Sequence, residues 1–279
     1  MNQGFIDFEQ DRSDRRRRAF LQKGVLFFGF LVCLFAAFRF GEVSVTALMS
    51  GMGEAGAYFV RLLPSLSAAH ATSDLAGWYW GFGAWSAAVI DTVIIAFVST
   101  TIGTIFAVPL GFIASRNLTH RAAYVIVRRT LEAIRTVPAL VYALAFVLSF
   151  GLGPTAGVLA IALHTASSLG KLFSEVNEAI EEKQVEGVRA SGGDWFSIVR
   201  FGVFPQVLPA FISYVLLRLE KNIRSATVIG FVGAGGIGQE LYIAIRSFQY
   251  QDVSAIALLI IALVALSDIA CEHLRRRVI

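Results

Sequence analysis

The sequence has little charge, because only 16% of its 279 residues are Asp, Glu, Lys or Arg. Soluble domains are about 25% charged and about 45–50% apolar, whereas 56% of this chain is hydrophobic. A soluble domain of this length could not bury so many apolar side chains without leaving an adhesive surface. The same composition excludes a disordered chain and a Gly-periodic fibrous protein. It therefore predicts an integral membrane protein surrounded by lipid.

Signatures of catalysis, metal binding and redox chemistry are also scarce. The two cysteines, Cys33 and Cys271, have no spacing that suggests a metal or redox site, and we interpret both as packing residues. The motifs HExxH, GxSxG and CxxC are absent. The run GAGGIG at 233–238 lacks the Lys-Ser or Lys-Thr of a phosphate-binding loop, and no strand–helix repeat surrounds it as in a dinucleotide fold. We expect no catalytic residue, metal or cofactor in this chain.

Six apolar stretches approach the length of about 20 residues that a bilayer-spanning helix needs. They are residues 21–40, 85–114, 137–150 (with an earlier, angled start as an alternative), 155–172, 205–232 (from Pro205 or Pro209) and 253–271. A cleavable signal peptide is the alternative for the first stretch. Between the first two, residues 43–80 indicate a loop with an interfacial helix and an aromatic belt at Trp78-Tyr79-Trp80. The predicted fold class is all-α and polytopic, with about six spans.

The 24 lysines and arginines are concentrated at alternate ends of these spans. Most lie in the N-terminal segment, in the loops after spans two and four, and at the C-terminus. The positive-inside rule then places both termini in the cytoplasm, and no nucleic-acid partner is needed to explain the basic balance. We predict a tail at 1–20, a first span with its loop at 21–80, a five-span core at 81–274 and a tail at 275–279. The core includes a cytoplasmic segment at 173–204.

This cytoplasmic segment combines a short amphipathic stretch, a glycine break and a proline that starts the next span. Such a projection could dock in a partner's groove, although an ordinary interfacial helix fits the composition too. The segment resembles the EAA signature of ABC importer permeases at Glu186, Gly192 and Pro205, with Gly187-Val188 where Ala-Ala is usual. Gly202 and Phe204 also depart from the usual Ile and Leu. The resemblance implies docking to an ATP-binding subunit through Glu186, Gly187, Arg189, Ala190, Gly192 and Pro205.

Charged residues interrupt span five. If this helix enters the bilayer at Pro209, Arg218 lies about 14 Å deep and Arg224 about 22 Å deep, where charge is costly. At 100° per residue, one broad face carries Arg218, Lys221, Asn222 and Ser225. Glu220 is placed to pair with Arg224 at i,i+4, which leaves Arg218 and Lys221 uncompensated.

Such an uncompensated cationic face suits an anion with phosphate-like oxygens. We therefore predict a substrate pathway lined by Arg218, Glu220, Lys221, Asn222, Arg224 and Ser225. The alternatives are a structural ion cluster and a segment that does not span. Elsewhere in the spans, we interpret His164 as a hydrogen-bonded interior residue, with a pathway role as the alternative. Asp91 indicates a polar helix end, or a salt bridge to span five.

Glycines at the end of span five permit a helix break and close backbone approach. Gly233, Gly235, Gly236 and Gly238 form this block, and its position suggests a gate. Together, the runs EKNIRSAT at 220–227 and VGAGGIG at 232–238 resemble the permease subunits of phosphonate ABC importers and their phosphite and hypophosphite relatives. Supporting runs are RTVP at 135–138, GLGP at 151–154, GKLF at 170–173 and PQVLP at 205–209. The resemblance covers roughly residues 84–274.

This resemblance implies a type I ABC importer permease fold and a transport subunit that is not itself an enzyme. The implied partners are a second permease copy, two ATPase subunits that bind ATP and Mg, and an extracytoplasmic solute-binding protein. The implied substrate is a phosphonate, phosphite, hypophosphite or phosphate, moved by alternating access. A permease for another solute such as methionine is one alternative, although methionine permeases generally lack the charged run. A secondary transporter or channel without an ATPase is the alternative of a different class.

Overall fold

A computed structural model describes residues 3–41, 44–64 and 70–278. Its helices are α1 (Gln3–Phe40), α2 (Val45–Leu62), α3 (Ala71–Trp78), α4 (Phe82–Ile113), α5 (Arg121–Thr136), α6 (Ala139–Phe150), α7 (Pro154–Glu178), α8 (Glu182–Ala190), α9 (Trp195–Ser197), α10 (Phe204–Ile229), α11 (Ile237–Arg246) and α12 (Tyr250–Val278). A π-helical turn occupies Ile198–Val203 and a 3-10 turn occupies Gly230–Val232. The described residues contain no strand.

Among the described residues, five helical stretches are long and apolar enough to cross a membrane, and the number is six if one bent pair of helices counts as one span. The five are Phe20–Phe40, Phe82–Ile113, Pro154–Glu178, Trp195–Val232 and Tyr250–Arg277. The predicted all-α polytopic class with about six spans is therefore confirmed. The chain divides into two compact units, one up to Val60 and one from Arg61 onward.

Within the second unit, α4 and α7 pack along a seam of small residues. A Cβ atom at Gly103 would lie 2.6 Å from the Cβ of Thr165, and one at Gly111 would lie 2.7 Å from the Cβ of Phe173. Small side chains let two backbones approach closely, which is how helices associate where no hydrophobic effect drives them together. The seam makes α7 the most buried of the candidate spans, with 72% of its apolar window inside the protein.

The third predicted span is half of a bent structure. α6 has 12 residues, or about 18 Å of helix, which is too short for a bilayer core of about 30 Å. It continues α5 after a bend of 85°. The break falls at Val137-Pro138, because proline has no N–H to donate and disfavours helical backbone in the residue before it. The helix within 137–150 is therefore too short to span alone, and the chain before it runs at an angle to it. That α5 and α6 together form one span stays a prediction.

The fifth span begins earlier than the depth argument assumed. α10 starts at Phe204, with Pro205 in its first turn and Pro209 inside the helix. Proline is tolerated in a first turn, where its missing N–H would have no partner within the helix. Arg218 therefore lies 14 residues from the helix start, or about 21 Å along its axis. Phe211 anchors this helix to α7 by stacking on Phe173, with 3.8 Å between ring centroids.

Two helices, α2 and α3, occupy the described part of the predicted loop at 43–80, and residues 65–69 lie outside the described residues. The Trp78 indole, at the end of α3, donates to the Gln251 carbonyl over 3.0 Å and to the Ser254 hydroxyl over 3.1 Å. The Trp80 indole donates to the Asp252 carboxylate over 3.1 Å. These bonds attach the predicted aromatic belt to the start of α12.

Candidate functional site

A cavity of about 520 Å³ opens beside α6, α7 and α10. Its lining residues are Pro138, Ala139, Ile161, His164, Arg218, Lys221, Asn222, Arg224 and Ser225. Five of the six predicted pathway residues line it, and Glu220 does not. Their convergence follows from the helical repeat, because positions three, four and seven apart lie on one face. Contact with a substrate stays a prediction for each of them.

Arg224 and Glu220 form the ion pair that the i,i+4 spacing predicts. The Arg224 Nη2 atom lies 2.6 Å from the Glu220 carboxylate and 3.2 Å from that of Asp268 on α12. Two acidic groups therefore balance this arginine. The structural ion cluster left open by the sequence exists, and it contains Arg224.

Arg218 and Lys221 are different, because neither forms an ion pair with a described residue. The Arg218 guanidinium contacts Nδ1 of His164 and donates from Nε to the Thr165 hydroxyl over 3.4 Å. Lys221 is exposed and lines the cavity. The cavity thus holds two positive charges that no described carboxylate compensates, which is the arrangement that attracts an anion.

Asn222 is a packing residue as well as a lining residue. It is 1% exposed, and its Nδ2 donates to the Thr100 hydroxyl over 2.8 Å and to the Thr165 hydroxyl over 2.9 Å. A buried amide must find such partners, because leaving it unsatisfied costs free energy. These bonds tie α10 to α4 and α7 directly behind the cavity.

His164 is a half-buried residue with a hydrogen-bond partner, as the sequence predicts. Asp91 differs from both interpretations of it. It is exposed, lies nine residues after the first residue of α4 and forms no ion pair with a described residue. Among the described residues, no group of three or more His, Cys, Asp or Glu side chains could hold a metal ion.

The glycine block forms a packed joint after α10. Gly233, Gly235 and Gly236 have φ angles of 84°, 82° and 74°, in the left-handed region that favours glycine. The Gly153 amide donates to the Gly233 carbonyl over 2.9 Å, which links the block to the start of α7. The predicted helix break is confirmed, whereas gating by these glycines stays a prediction.

Gly238→Ala is expected to destabilise the protein strongly. A Cβ atom at this position would lie 1.8 Å from the Thr227 carbonyl oxygen, so backbone must shift. Overpacking of this kind costs about 3 kcal/mol. Thermal unfolding in detergent measures the loss, with Gly83→Ala as the control, because a Cβ at Gly83 meets nothing within 4 Å. Equal unfolding temperatures for the two variants would contradict the close packing of the joint.

The predicted coupling segment folds as a helical hairpin. α8 ends in a turn where Gly192 has a φ of 82°, and Asp194 caps α9 by accepting from the Ser197 amide over 2.9 Å. Hydrogen bonds from the Ser197 side chain and backbone hold the pKa of Asp194 below its ordinary value. The Trp195 indole donates to the Leu118 carbonyl over 2.9 Å, which fixes the hairpin to the loop between α4 and α5.

The outer face of this hairpin carries most of the predicted coupling residues. Glu186, Gly187, Arg189, Ala190 and Gly192 are exposed, whereas Val185 is buried and packs on Gly202. A cavity of about 170 Å³ lies beside Glu186 and Arg189. It is lined by Asn117, Ile180, Glu182, Val185, Glu186 and Arg189. Pro205 lies apart from this face, in the first turn of α10.

An ion-pair network between α5 and α7 escaped the sequence analysis. Lys171 lies 2.8 Å from Glu132 and 3.6 Å from Glu175, and Arg128 lies 2.8 Å from Glu178. Lys171 is 8% exposed, so its charge requires a partner. The signal was a lysine among the small residues of an apolar helix, but Glu132 stands 39 positions away along the chain.

Comparisons with known proteins found membrane transport proteins. The family described as "Binding-protein-dependent transport system inner membrane component" matches residues 107–279. The phosphite transport system permease protein PtxC of Stutzerimonas stutzeri is 36% identical over 256 residues, which cover 91% of this chain and 89% of that protein. The putative cryptic phosphonate transport system permease protein PhnE2 of Escherichia coli K12 is 51% identical over 122 residues, covering 44% of this chain and 100% of that protein. The solved inward-facing MetNI methionine ABC transporter gives a TM-score of 0.61 at 22% identity, covering 70% of this chain and 96% of that chain.

Proposed function

The chain belongs to the family of binding-protein-dependent transport system inner membrane components, and we propose that it is the permease subunit through which an ATP-driven importer moves phosphonates or related phosphorus oxyanions. It is an integral inner-membrane protein with the fold of ABC importer permeases. Its family supports an ABC permease over a secondary transporter or channel. The likeness to a methionine transporter concerns the fold alone, because the identity is only 22%.

The observation that carries the substrate proposal is the pair of uncompensated cations at the cavity. Arg218 and Lys221 form no ion pair with a described residue, whereas Arg224 has two carboxylate partners. A guanidinium matches two oxygens of one phosphorus centre, and a nearby ammonium adds charge without demanding a fixed direction. Relatives named for phosphite and phosphonate transport support the same substrate class. The substrate is then a phosphonate, phosphite, hypophosphite or phosphate.

The proposed assembly contains two copies of this permease, two ATPase subunits and an extracytoplasmic solute-binding protein. Both termini are cytoplasmic, and ATP with its Mg binds to the ATPase subunits. The exposed face of the hairpin at Glu186–Gly192 docks on an ATPase, which switches the pathway between inward-facing and outward-facing states. Pro205 transmits that movement to α10, and the glycine joint at 233–238 gates the far end.

Reconstitution tests this proposal. The permease, its ATPase and its binding protein are placed in liposomes, and uptake of radiolabelled phosphite and methylphosphonate is measured. We expect uptake to require both ATP and the loaded binding protein. Uptake driven by an ion gradient in vesicles without the ATPase would contradict the ATP-driven mechanism. ATP-driven uptake of methionine in place of the oxyanions would contradict the substrate class.

A further inference from the structure

His164 and Arg218 meet at the wall of the cavity, one on α7 and the other on α10. We propose that His164 is a positioning residue that aims the Arg218 guanidinium at an oxyanion without neutralising it. This inference rests on the proposed function and adds a residue to its site.

The donors of Arg218 are only partly used by the protein. A guanidinium has five N–H donors and no acceptor. Nη2 contacts Nδ1 of His164, and Nε donates to the Thr165 hydroxyl over 3.4 Å. These two contacts use two donors and leave three, all on the terminal nitrogens. That is enough for a two-point contact with the oxygens of one phosphorus centre.

The charges around Arg218 differ from those around Arg224, six positions along the same helix. Arg224 is held by Glu220 and Asp268, so its charge is balanced. Arg218 is held by an imidazole nitrogen and a hydroxyl, which accept hydrogen bonds and bring no negative charge. The charged groups that face this pair, Lys221 and Arg135, are cations too. A neutral acceptor therefore fixes the direction of Arg218 and leaves its whole charge for the ligand.

The support behind this pair is rigid. Thr165 is fully buried, and its hydroxyl also accepts from Asn222 over 2.9 Å. Asn222 in turn donates to Thr100 on α4 over 2.8 Å. The Thr165 acceptor of Arg218 is thus anchored by a buried network across three helices, and preorganised donors bind a ligand with less loss of entropy.

Two nearly isosteric variants test the inference. His164→Asn keeps a neutral acceptor near the position of Nδ1, whereas His164→Asp places a carboxylate there and pairs Arg218 as Arg224 is paired. With the reconstituted complex, we expect His164→Asn to keep the KM for phosphite uptake within about threefold of the unaltered permease. His164→Asp should raise that KM roughly tenfold or more, because a charge-assisted contact to the ligand is lost. The maximal rate should change little in both.

A merely structural histidine would give a different pattern. In that case the two variants would be impaired alike, or the maximal rate would fall with the KM unchanged, and either result overturns the inference. Co-purification with the ATPase checks that each variant assembles. If His164→Asp fails to assemble, His164→Leu takes its place, because it removes the acceptor without adding charge and should also raise the KM.

Arg218→Gln separates the inference from the proposed function. If Arg218→Gln imports phosphite normally, the cationic site itself is wrong. If Arg218→Gln loses uptake while His164→Asn and His164→Asp behave alike, the cationic site stands and the role of His164 alone is wrong.

Discussion

Arg218→Gln is expected to reduce phosphorus oxyanion uptake about a hundredfold, because truncating one partner of a buried charge contact costs several kcal/mol. Glutamine places its amide near the position of the Arg218 Nε, so it can still donate to the Thr165 hydroxyl, whereas the contact of Nη2 with His164 is lost. What disappears is one of the two uncompensated positive charges and its two-point contact with the ligand. Uptake of radiolabelled phosphite by the reconstituted complex measures the loss.

The matched control for this variant is Arg246→Gln. Arg246 is an arginine on a helix too, although it is exposed where Arg218 is half-buried; it donates to the Tyr242 hydroxyl over 3.2 Å and forms no ion pair with a described residue. It does not line the cavity. We expect its uptake to stay within about twofold of the unaltered permease, since surface substitutions away from special features have small effects. Normal uptake by Arg218→Gln would contradict the assignment of the cationic face to the substrate pathway.

Gly192→Pro is expected to uncouple ATP hydrolysis from transport. Gly192 has a φ of 82°, whereas proline fixes φ near −65° and has no N–H. The variant therefore loses the bond from the Gly192 amide to the Arg189 carbonyl, 3.0 Å long, and the turn of the hairpin must open. Because α8 then cannot keep its direction relative to α10, we expect uptake to fall at least tenfold, consistent with the cost of a strained backbone residue.

Gly151→Pro is the matched control for this substitution. Gly151 has a φ of 87°, its amide donates to the Val147 carbonyl over 2.9 Å, and a Cβ there meets nothing within 4 Å. Each variant places a proline at a position of similar positive φ and removes one backbone hydrogen bond, at different places in the fold. ATPase binding by co-purification should weaken in Gly192→Pro and stay normal in Gly151→Pro. Retained binding and transport in Gly192→Pro would contradict docking through the hairpin.

The features that local pattern could predict are those that repeat along one helix. Apolar runs predicted the spans, and the i,i+4 rule predicted the Arg224–Glu220 pair. Local pattern could not predict contacts between residues far apart in the sequence, because nothing in the residues around a charged side chain indicates which distant residue it contacts. Asp268 lies 44 positions from Arg224, and His164 lies 54 positions from Arg218. The bend before α6 was visible only as Pro138, whose effect on direction depends on what α5 packs against.

The seam between α4 and α7 constrains how this protein can move. With glycine at 103 and 111 and neighbouring Cβ atoms within 2.7 Å of where a side chain would begin, the two helices have no room to slide past each other. Sliding of one helix past the other would require them to separate first, so we expect α4 and α7 to move together. We expect rotation to occur at short connections instead, such as the dipeptide Val137-Pro138, where the chain bends by 85° between α5 and α6. We therefore expect the lack of side chains at Gly103 and Gly111 to determine which helices of this unit move together.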